Sequence, residues 1–267
     1  MLRKILERLV KGQISMDEAE KLLRISAIEE IGNLARIDVG RELRKGVPEI
    51  ILAEGKSPRD VAEIALRMLE NRGRVVISRA VKGQIDAIKN IIASDDVYLQ
   101  VNSNIGLVVV RKKGFEVEKT GGKVGILTAG TSDIPVAEEA RVVAEEMGCE
   151  VVTAYDVGVA GIHRLFPPLK EMVEKDVDVL VVVAGREGAL PSVVAGLVDL
   201  PVIAVPTSTG YGLGEKGVSA LMAMLQACSL GIAVVNIDGG VAAGATAALI
   251  ANRAAKFKKQ GCITDSK

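Results

Sequence analysis

Residues 124 to 133, Val-Gly-Ile-Leu-Thr-Ala-Gly-Thr-Ser-Asp, decide how the rest of the chain is read. An apolar run, Val124 to Leu127, delivers the chain into a polar turn, Thr128 to Asp133. Beyond it Ile134, Ala137, Ala140, Val143, Ala144 and Met147 recur at helical spacing. This is a strand, a tight turn and a helix start. Thr131, Ser132 and Asp133 all suit an N-cap, and Pro135 falls in the first turn, where its missing N–H is harmless. Gly, Thr and Ser at a helix N-terminus offer backbone N–H groups and hydroxyls to an anion, most often a phosphate. For one such turn, an ordinary strand-to-helix connection explains the residues equally well.

The turn has counterparts. Val151 to Ala154 runs into Tyr155-Asp156-Val157-Gly158, and Val179 to Ala184 into Gly185-Arg186-Glu187-Gly188-Ala189-Leu190-Pro191. Val202 to Val205 runs into Pro206-Thr207-Ser208-Thr209-Gly210-Tyr211-Gly212, and Ile232 to Asn236 into Ile237-Asp238-Gly239-Gly240. Strands of nearly continuous Val, Ile and Leu alternating with helices imply a parallel sheet covered on both faces. In such a sheet the turns gather at the carboxyl ends of the strands, where open α/β folds bind ligands. Helices are expected at Ile134 to Met147, Ile162 to Glu174, Leu190 to Leu197, Glu215 to Gln226 and Gly239 to Lys258. The last is rich in Ala and Gly, which permits close helix packing.

Ahead of this region lies a smaller module. Leu2, Ile5, Leu6, Leu9 and Val10 share a helical face, and Ser15-Met16-Asp17-Glu18 matches a capping box that opens a second helix. A third helical pattern runs through Ile28 and Leu34. Arg41, Arg44 and Lys45 precede a strand from Glu49 to Ala53. Ser57-Pro58 caps a helix to about Asn71, followed by a strand Arg74 to Ser78, a helix Gln84 to Ile92, and strands at Val97 to Val101 and Leu107 to Arg111. Charged, Gly-containing Lys112 to Lys123 reads as a linker, giving domains of residues 1–120 and 121–267.

Composition excludes several classes. The chain has 267 residues with 34 basic and 34 acidic side chains, so no overall field attracts nucleic acid, and three Phe and three Tyr leave little for base stacking. Neither a membrane span nor a signal core is evident, and a cytoplasmic protein is expected. Cys149, Cys228 and Cys262 lack metal-binding spacing, and one histidine, His163, leaves little for a His-based metal site or a serine triad. Cys228 lies between the helix ending near Ala227 and the strand beginning at Ile232. It reads either as a small buried hydrophobe or as a nucleophile. Glu187, in a Gly-rich turn after a wholly apolar strand, is either solvated or aimed into the pocket as a proton acceptor.

The pattern GILTAGTSDIPVAEEA, TAYDVGVAGIHRL, VVAGREGALPSVVAGL, PTSTGYG and MLQACSLGIAVVNIDGG resembles the nickel-pincer cofactor biosynthesis carboxylases, the LarB family of pyridinium-3,5-biscarboxylic acid mononucleotide synthases. RELRKGVPEIILAEGKSP resembles the same family, so the likeness spans nearly the whole chain. The second half is also similar, more distantly, to aminoimidazole ribonucleotide carboxylases and mutases through Thr131-Ser132-Asp133 and Leu190-Pro191. Those enzymes carry a histidine where this chain has Ala189, and another in a Ser-Ala-His-Arg turn where this chain has Thr153-Ala154-Tyr155-Asp156.

The resemblance implies a three-layer, flavodoxin-like α/β domain of the AIR carboxylase kind, preceded by helices and a smaller α/β module. It also implies carboxylation of the pyridinium ring of nicotinic acid adenine dinucleotide by carbon dioxide or bicarbonate, with cleavage of the phosphoanhydride to release AMP. Cys228 is then the nucleophile and Glu187 the base. Substrate binding falls to Thr128, Gly130, Thr131, Ser132, Asp133, Tyr155, Asp156, Gly185, Gly188, Ala189, Leu190, Pro191, Asn236 and Asp238, the Thr128 to Asp133 turn and the Gly-rich loops holding phosphate and ribose, with Arg186, His163 and Arg164 as charge partners. A magnesium ion with unassigned ligands is expected for the hydrolysis, with no organic cofactor. No nucleic acid or membrane partner is expected, and a homo-oligomer, an octamer by resemblance, is.

Overall fold

A computed structural model describes residues 2–25, 29–31, 35–37, 46–210, 212 and 214–264. The chain divides into compact units, residues 1–116 and 117–267.

The first unit opens with α1 (Leu2–Val10) and α2 (Met16–Ile25), packed through Ile5, Leu9, Ile14, Ala19 and Leu22. The capping box forms: Glu18 N–H donates to Ser15 Oγ at 3.1 Å, and Ser15 N–H donates to Glu18 Oε2 at 3.0 Å. The expected third helix is corrected to a pair of antiparallel strands, β1 (Glu29–Ile31) and β2 (Ala35–Ile37), with Ile31 opposite Ala35. The strand pairing overrides a helical spacing that rests on only two apolar positions. Ile28, Leu34, Arg41, Arg44 and Lys45 lie outside the described residues.

Next come β3 (Ile50–Leu52), α3 (Pro58–Arg72), β4 (Arg74–Ser78), α4 (Lys82–Ile91), β5 (Val97–Asn102) and β6 (Leu107–Lys112). The sheet order is β3-β4-β6-β5, with β3 and β4 parallel and the other pairs antiparallel. Ser57 Oγ accepts the Asp60 N–H, Pro58 takes the first turn, and Gly73 closes α3 in the left-handed region at φ 73°. Val61, Ala65, Met68 and Ile88 from the helices bury against Val75, Ile77, Val108 and Val110.

The second unit contains β7 (Lys123–Thr128), α5 (Ile134–Glu146), β8 (Glu150–Ala154), α6 (Phe166–Glu174), β9 (Val179–Ala184), α7 (Leu190–Ala195), β10 (Val202–Pro206), α8 (Val218–Leu225), β11 (Ile232–Val234) and α9 (Gly240–Thr264). Its five strands are parallel in the order β11-β10-β9-β7-β8. This is a flavodoxin-like α/β sheet, as expected. The chain steps from β7 out to β8 and returns across β7 to β9, so the turns after β7 and β9 diverge and leave a crevice at the carboxyl ends. β9 is buried along its whole length.

One face is sealed by Leu169, Met172, Leu190, Val194 and Met224 against Leu127, Leu180, Val182 and Ala204. On the other, α5 and α9 pack on each other and on β7 and β9. A Cβ at Gly244 would stand 2.4 Å from the Ala140 carbonyl oxygen, so the Ala/Gly stripe of α9 serves this seat within the chain. Lys258 anchors the far end of α9, with Nζ 2.7 Å from Asp176 and 2.9 Å from Asp178.

The expected helix at Ile162 is split into a 3₁₀ turn, Val159–Arg164, and α6, because Pro167 and Pro168 are accommodated only in a helix's first turn. The one at Glu215 begins at Val218, after a 3₁₀ turn in which Lys216 takes φ 52°. Among the described residues no helix is long and apolar enough to cross a membrane.

Candidate functional site

The turns after β7, β8, β9 and β10 enclose a pocket of about 480 Å³, lined in part by Gly130, Ser132, Asp133, Asp156, Arg164, Gly185, Arg186, Glu187, Ala189 and Leu190. Ala129, Gly158, Val159, Ala160, Ala184, Thr209 and Gly210 complete the wall. Their small size lets a ligand approach the backbone. Gly185 has no room for a side chain, because a Cβ there would meet the Thr209 carbonyl at 2.4 Å and Thr207 Oγ1 at 2.7 Å.

Asp133 is the buried charge of the site, at 5% exposure. Its side chain does not cap α5; it turns back to accept the Gly130 N–H on Oδ2 at 2.9 Å and the Thr207 hydroxyl on Oδ1 at 2.7 Å. Burial raises its pKa above the ordinary carboxylate value. Hydrogen bonds from Thr207, Gly130 and Gly185 oppose that shift, and the Asp238 charge adds to it. Desolvation wins, so the carboxyl gains its proton more readily than a solvated one.

Thr128 is fully buried, and its Oγ1 accepts the Asp156 N–H at 3.0 Å. It therefore shapes the β8 turn and does not line the pocket. Asp156, at φ 59°, pairs with Arg164. Opposite them stand Arg186 and the exposed carboxylate of Glu187. The arrangement offers an anion a cation on either side, and offers a reacting carbon carboxylates that can take its proton.

Several expected site residues lie elsewhere. Tyr155 points away to α5, its hydroxyl bound to Glu138, which Arg141 also grips. Burial and the Glu138 carboxylate push the Tyr155 pKa up to about 12. Thr131 and His163 are exposed off the pocket wall, and Gly188 and Pro191 are buried behind it. Asn236 accepts the neighbouring Ile237 N–H, and Asp238 Oδ1 takes the Ser208 N–H at 2.8 Å, which fixes the β10 turn.

Cys228 requires a correction. It is exposed, and it sits in the connection that enters the amino end of β11, whereas Glu187 follows the carboxyl end of β9. The neighbouring Ser229 bonds to Ser192, inside α7, and Cys228 is not part of the pocket wall. An αβ connection in a parallel sheet always falls at the edge opposite the βα turns. The expectation that thiol and carboxylate share one cleft is therefore not met within a single chain. Thr207, bound to Asp133, and Thr209, in the pocket wall, are further site residues that the sequence shows only as parts of a polar turn at a strand's carboxyl end.

Among the described residues no group of three or more His, Cys, Asp or Glu side chains converges as a metal site. The expected magnesium has no such ligand set among the described residues.

Residues 123–262 match the family described as AIR carboxylase, and residues 28–109 match the LarB/PurE-like N-terminal domain. An uncharacterised protein of Methanocaldococcus jannaschii is 48% identical over 258 residues, covering 94% of this chain and 96% of that one. The N5-carboxyaminoimidazole ribonucleotide mutase of Thermotoga maritima is 32% identical over 133 residues, 48% of this chain and 74% of that enzyme. The enzyme of the same name from Methanocaldococcus jannaschii is 35% identical over 117 residues, 43% of this chain and 69% of its own length.

Proposed function

Because this chain belongs to the AIR carboxylase family and carries a LarB/PurE-like N-terminal domain, we propose that it carboxylates the pyridinium ring of nicotinic acid adenine dinucleotide and cleaves the phosphoanhydride, giving pyridinium-3,5-biscarboxylic acid mononucleotide and AMP. The observation that carries this reading is the chemistry of the pocket wall: it holds Asp133, Asp156 and Glu187 and, among the described residues, no histidine. His163 is exposed outside it, and Ala189 stands beside Leu190. A mutase of the aminoimidazole type, the activity named for the 32–35% identical relatives, is the second reading, and it lacks the proton-shuttling histidines that resemblance would require.

A pyridinium carbon is a poor nucleophile. A thiolate that bonds to ring carbon 4 pushes an electron pair onto the ring nitrogen and leaves a neutral dihydropyridine whose carbon 5 attacks carbon dioxide. A carboxylate then takes the proton from carbon 5, and the thiolate departs with the C–S bonding pair, restoring aromaticity. Glu187 is the proton acceptor in this scheme. Water cleaves the anhydride.

The thiolate comes from Cys228 of a second copy, because the fold holds each chain's own Cys228 outside its own pocket. The segment Val218 to Ile237 carries no charged residue yet exposes Met222, Leu225 and Leu230, as a surface between copies does.

The test incubates the protein with the dinucleotide, bicarbonate and magnesium and seeks the biscarboxylated mononucleotide and AMP by mass spectrometry. Cys228→Ser and Glu187→Gln should each be inactive alone and regain activity when co-assembled. Product from Cys228→Ser alone removes the thiolate mechanism. Two dead variants that stay dead together remove the shared site and leave the reaction class standing.

A further inference from the structure

Beside the main pocket lies a cavity of about 270 Å³ walled by Arg186, Ser208, Thr209, Gly210, Gly212, Gly214, Lys216 and Gly217. Arg186, Thr209 and Gly210 belong to both walls, so the two spaces adjoin across the turn after β10. Their chemistry differs. The main pocket sets three carboxylates among its cations. The wall of the smaller one holds the cations Arg186 and Lys216, hydroxyls from Ser208 and Thr209, and four glycines.

Small residues leave the backbone open, and among the described residues the N–H groups of Thr209, Gly210 and Gly212 donate to no protein acceptor. Lys216 has no acceptor of its own among them and is exposed. A backbone hydrogen bond from Gly217 N–H to the Gly214 carbonyl, at 3.1 Å, closes the loop behind it. Cations, hydroxyls and open amides around one space describe a phosphoryl cradle.

We infer that this cavity is a second anion subsite, in which Lys216 holds the distal phosphoryl group of a two-phosphate ligand whose ring end occupies the main pocket. The identity of that ligand rests on the carboxylase reading; the subsite rests on the wall. Lys216 is a specificity residue here: it separates a dinucleotide from a mononucleotide, whose single phosphate stays with Arg164 or Arg186.

Isothermal titration of wild type, Lys216→Gln and Lys216→Arg with inorganic pyrophosphate, nicotinic acid mononucleotide and nicotinic acid adenine dinucleotide tests this. Losing one charge-assisted contact should weaken pyrophosphate and the dinucleotide about tenfold in Lys216→Gln and the mononucleotide less than about twofold. Lys216→Arg should stay close to wild type. Equal weakening of all three ligands, or none, overturns the subsite. Pyrophosphate binding that depends on Lys216 in a protein that ignores the dinucleotide keeps the subsite and removes the carboxylase reading. Turnover of the dinucleotide with unchanged affinities in Lys216→Gln does the reverse.

Discussion

The hydroxyl of Thr207 donates to Oδ1 of Asp133 across 2.7 Å, tying the end of β10 to the turn after β7 inside the pocket wall. Thr207 is fully buried, so nothing from solvent replaces that donor when it is removed. Thr207→Val should cost about 1–2 kcal/mol in thermal or urea unfolding. It should also move the acid limb of the pH–activity profile to higher pH, since the bond lowers the Asp133 pKa. Thr207→Ser keeps the donor and should keep the profile; a profile unmoved in Thr207→Val would divorce this pair from catalysis.

Asp133 also predicts a pH dependence of stability. A carboxyl whose folded-state pKa lies above its unfolded value of 3.8 holds its proton more tightly when folded. Its contribution is therefore favourable below that unfolded value relative to higher pH, and it is lost as pH rises through the raised folded value. The melting temperature of wild type, measured against Asp133→Asn across that window, should fall with rising pH and then level off.

Glu187→Gln should leave dinucleotide affinity nearly intact while lowering turnover on the order of 10²-fold or more, as loss of a general base does. Isothermal titration beside a single-turnover assay separates the two effects. A variant that keeps its rate removes Glu187 from the proton transfer.

Gly185→Ala should lower stability by about 1–3 kcal/mol and abolish activity, because the new methyl meets backbone of the β10 turn. Gly130→Ala should fold normally, its nearest obstruction being Asp133 Oδ2 at 3.7 Å. Thermal melts of the two variants make the comparison.

Thiol labelling of the native protein should modify Cys228 and spare Cys149. Cys149 is buried, its thiol faces Asn252 Oδ1 at 3.2 Å, and burial together with the Asp178 charge pushes its pKa up to about 11. Mass mapping after brief maleimide treatment at neutral pH reads this out. Rapid labelling of Cys149 would contradict the packing between the β7–α5–β8 unit and α9.

The parallel sheet was legible because its strands are buried on both faces and therefore read as unbroken Val, Ile and Leu; β9 is the clearest case. Turn chemistry was legible as well, since Gly185 sits where no side chain fits and Asp156 where the chain needs positive φ. What the sequence did not show was direction. Asp133 looked like a helix cap and faces the opposite way, because Thr207, distant in sequence, competes for it with the helix N-terminus. Tyr155 was assigned to the ligand and belongs to Glu138, one helix over. Cys228 was grouped with Glu187 by motif, and motif order carries no information about which rim of a sheet a residue occupies. The strand pair of Glu29–Ile31 and Ala35–Ile37 was hidden by a sparse apolar pattern.

The seat of α9 on α5 limits how the cleft can change. With no more than a hydrogen atom's width at Gly244 over the Ala140 carbonyl, the two helices form a rigid back wall that can neither slide nor spread. Descendants of this sequence can accept a differently shaped ligand only by rewriting the rim on the other side, from Arg186 to Lys216, so divergence in substrate choice should be concentrated in that arc and scarce along the spine.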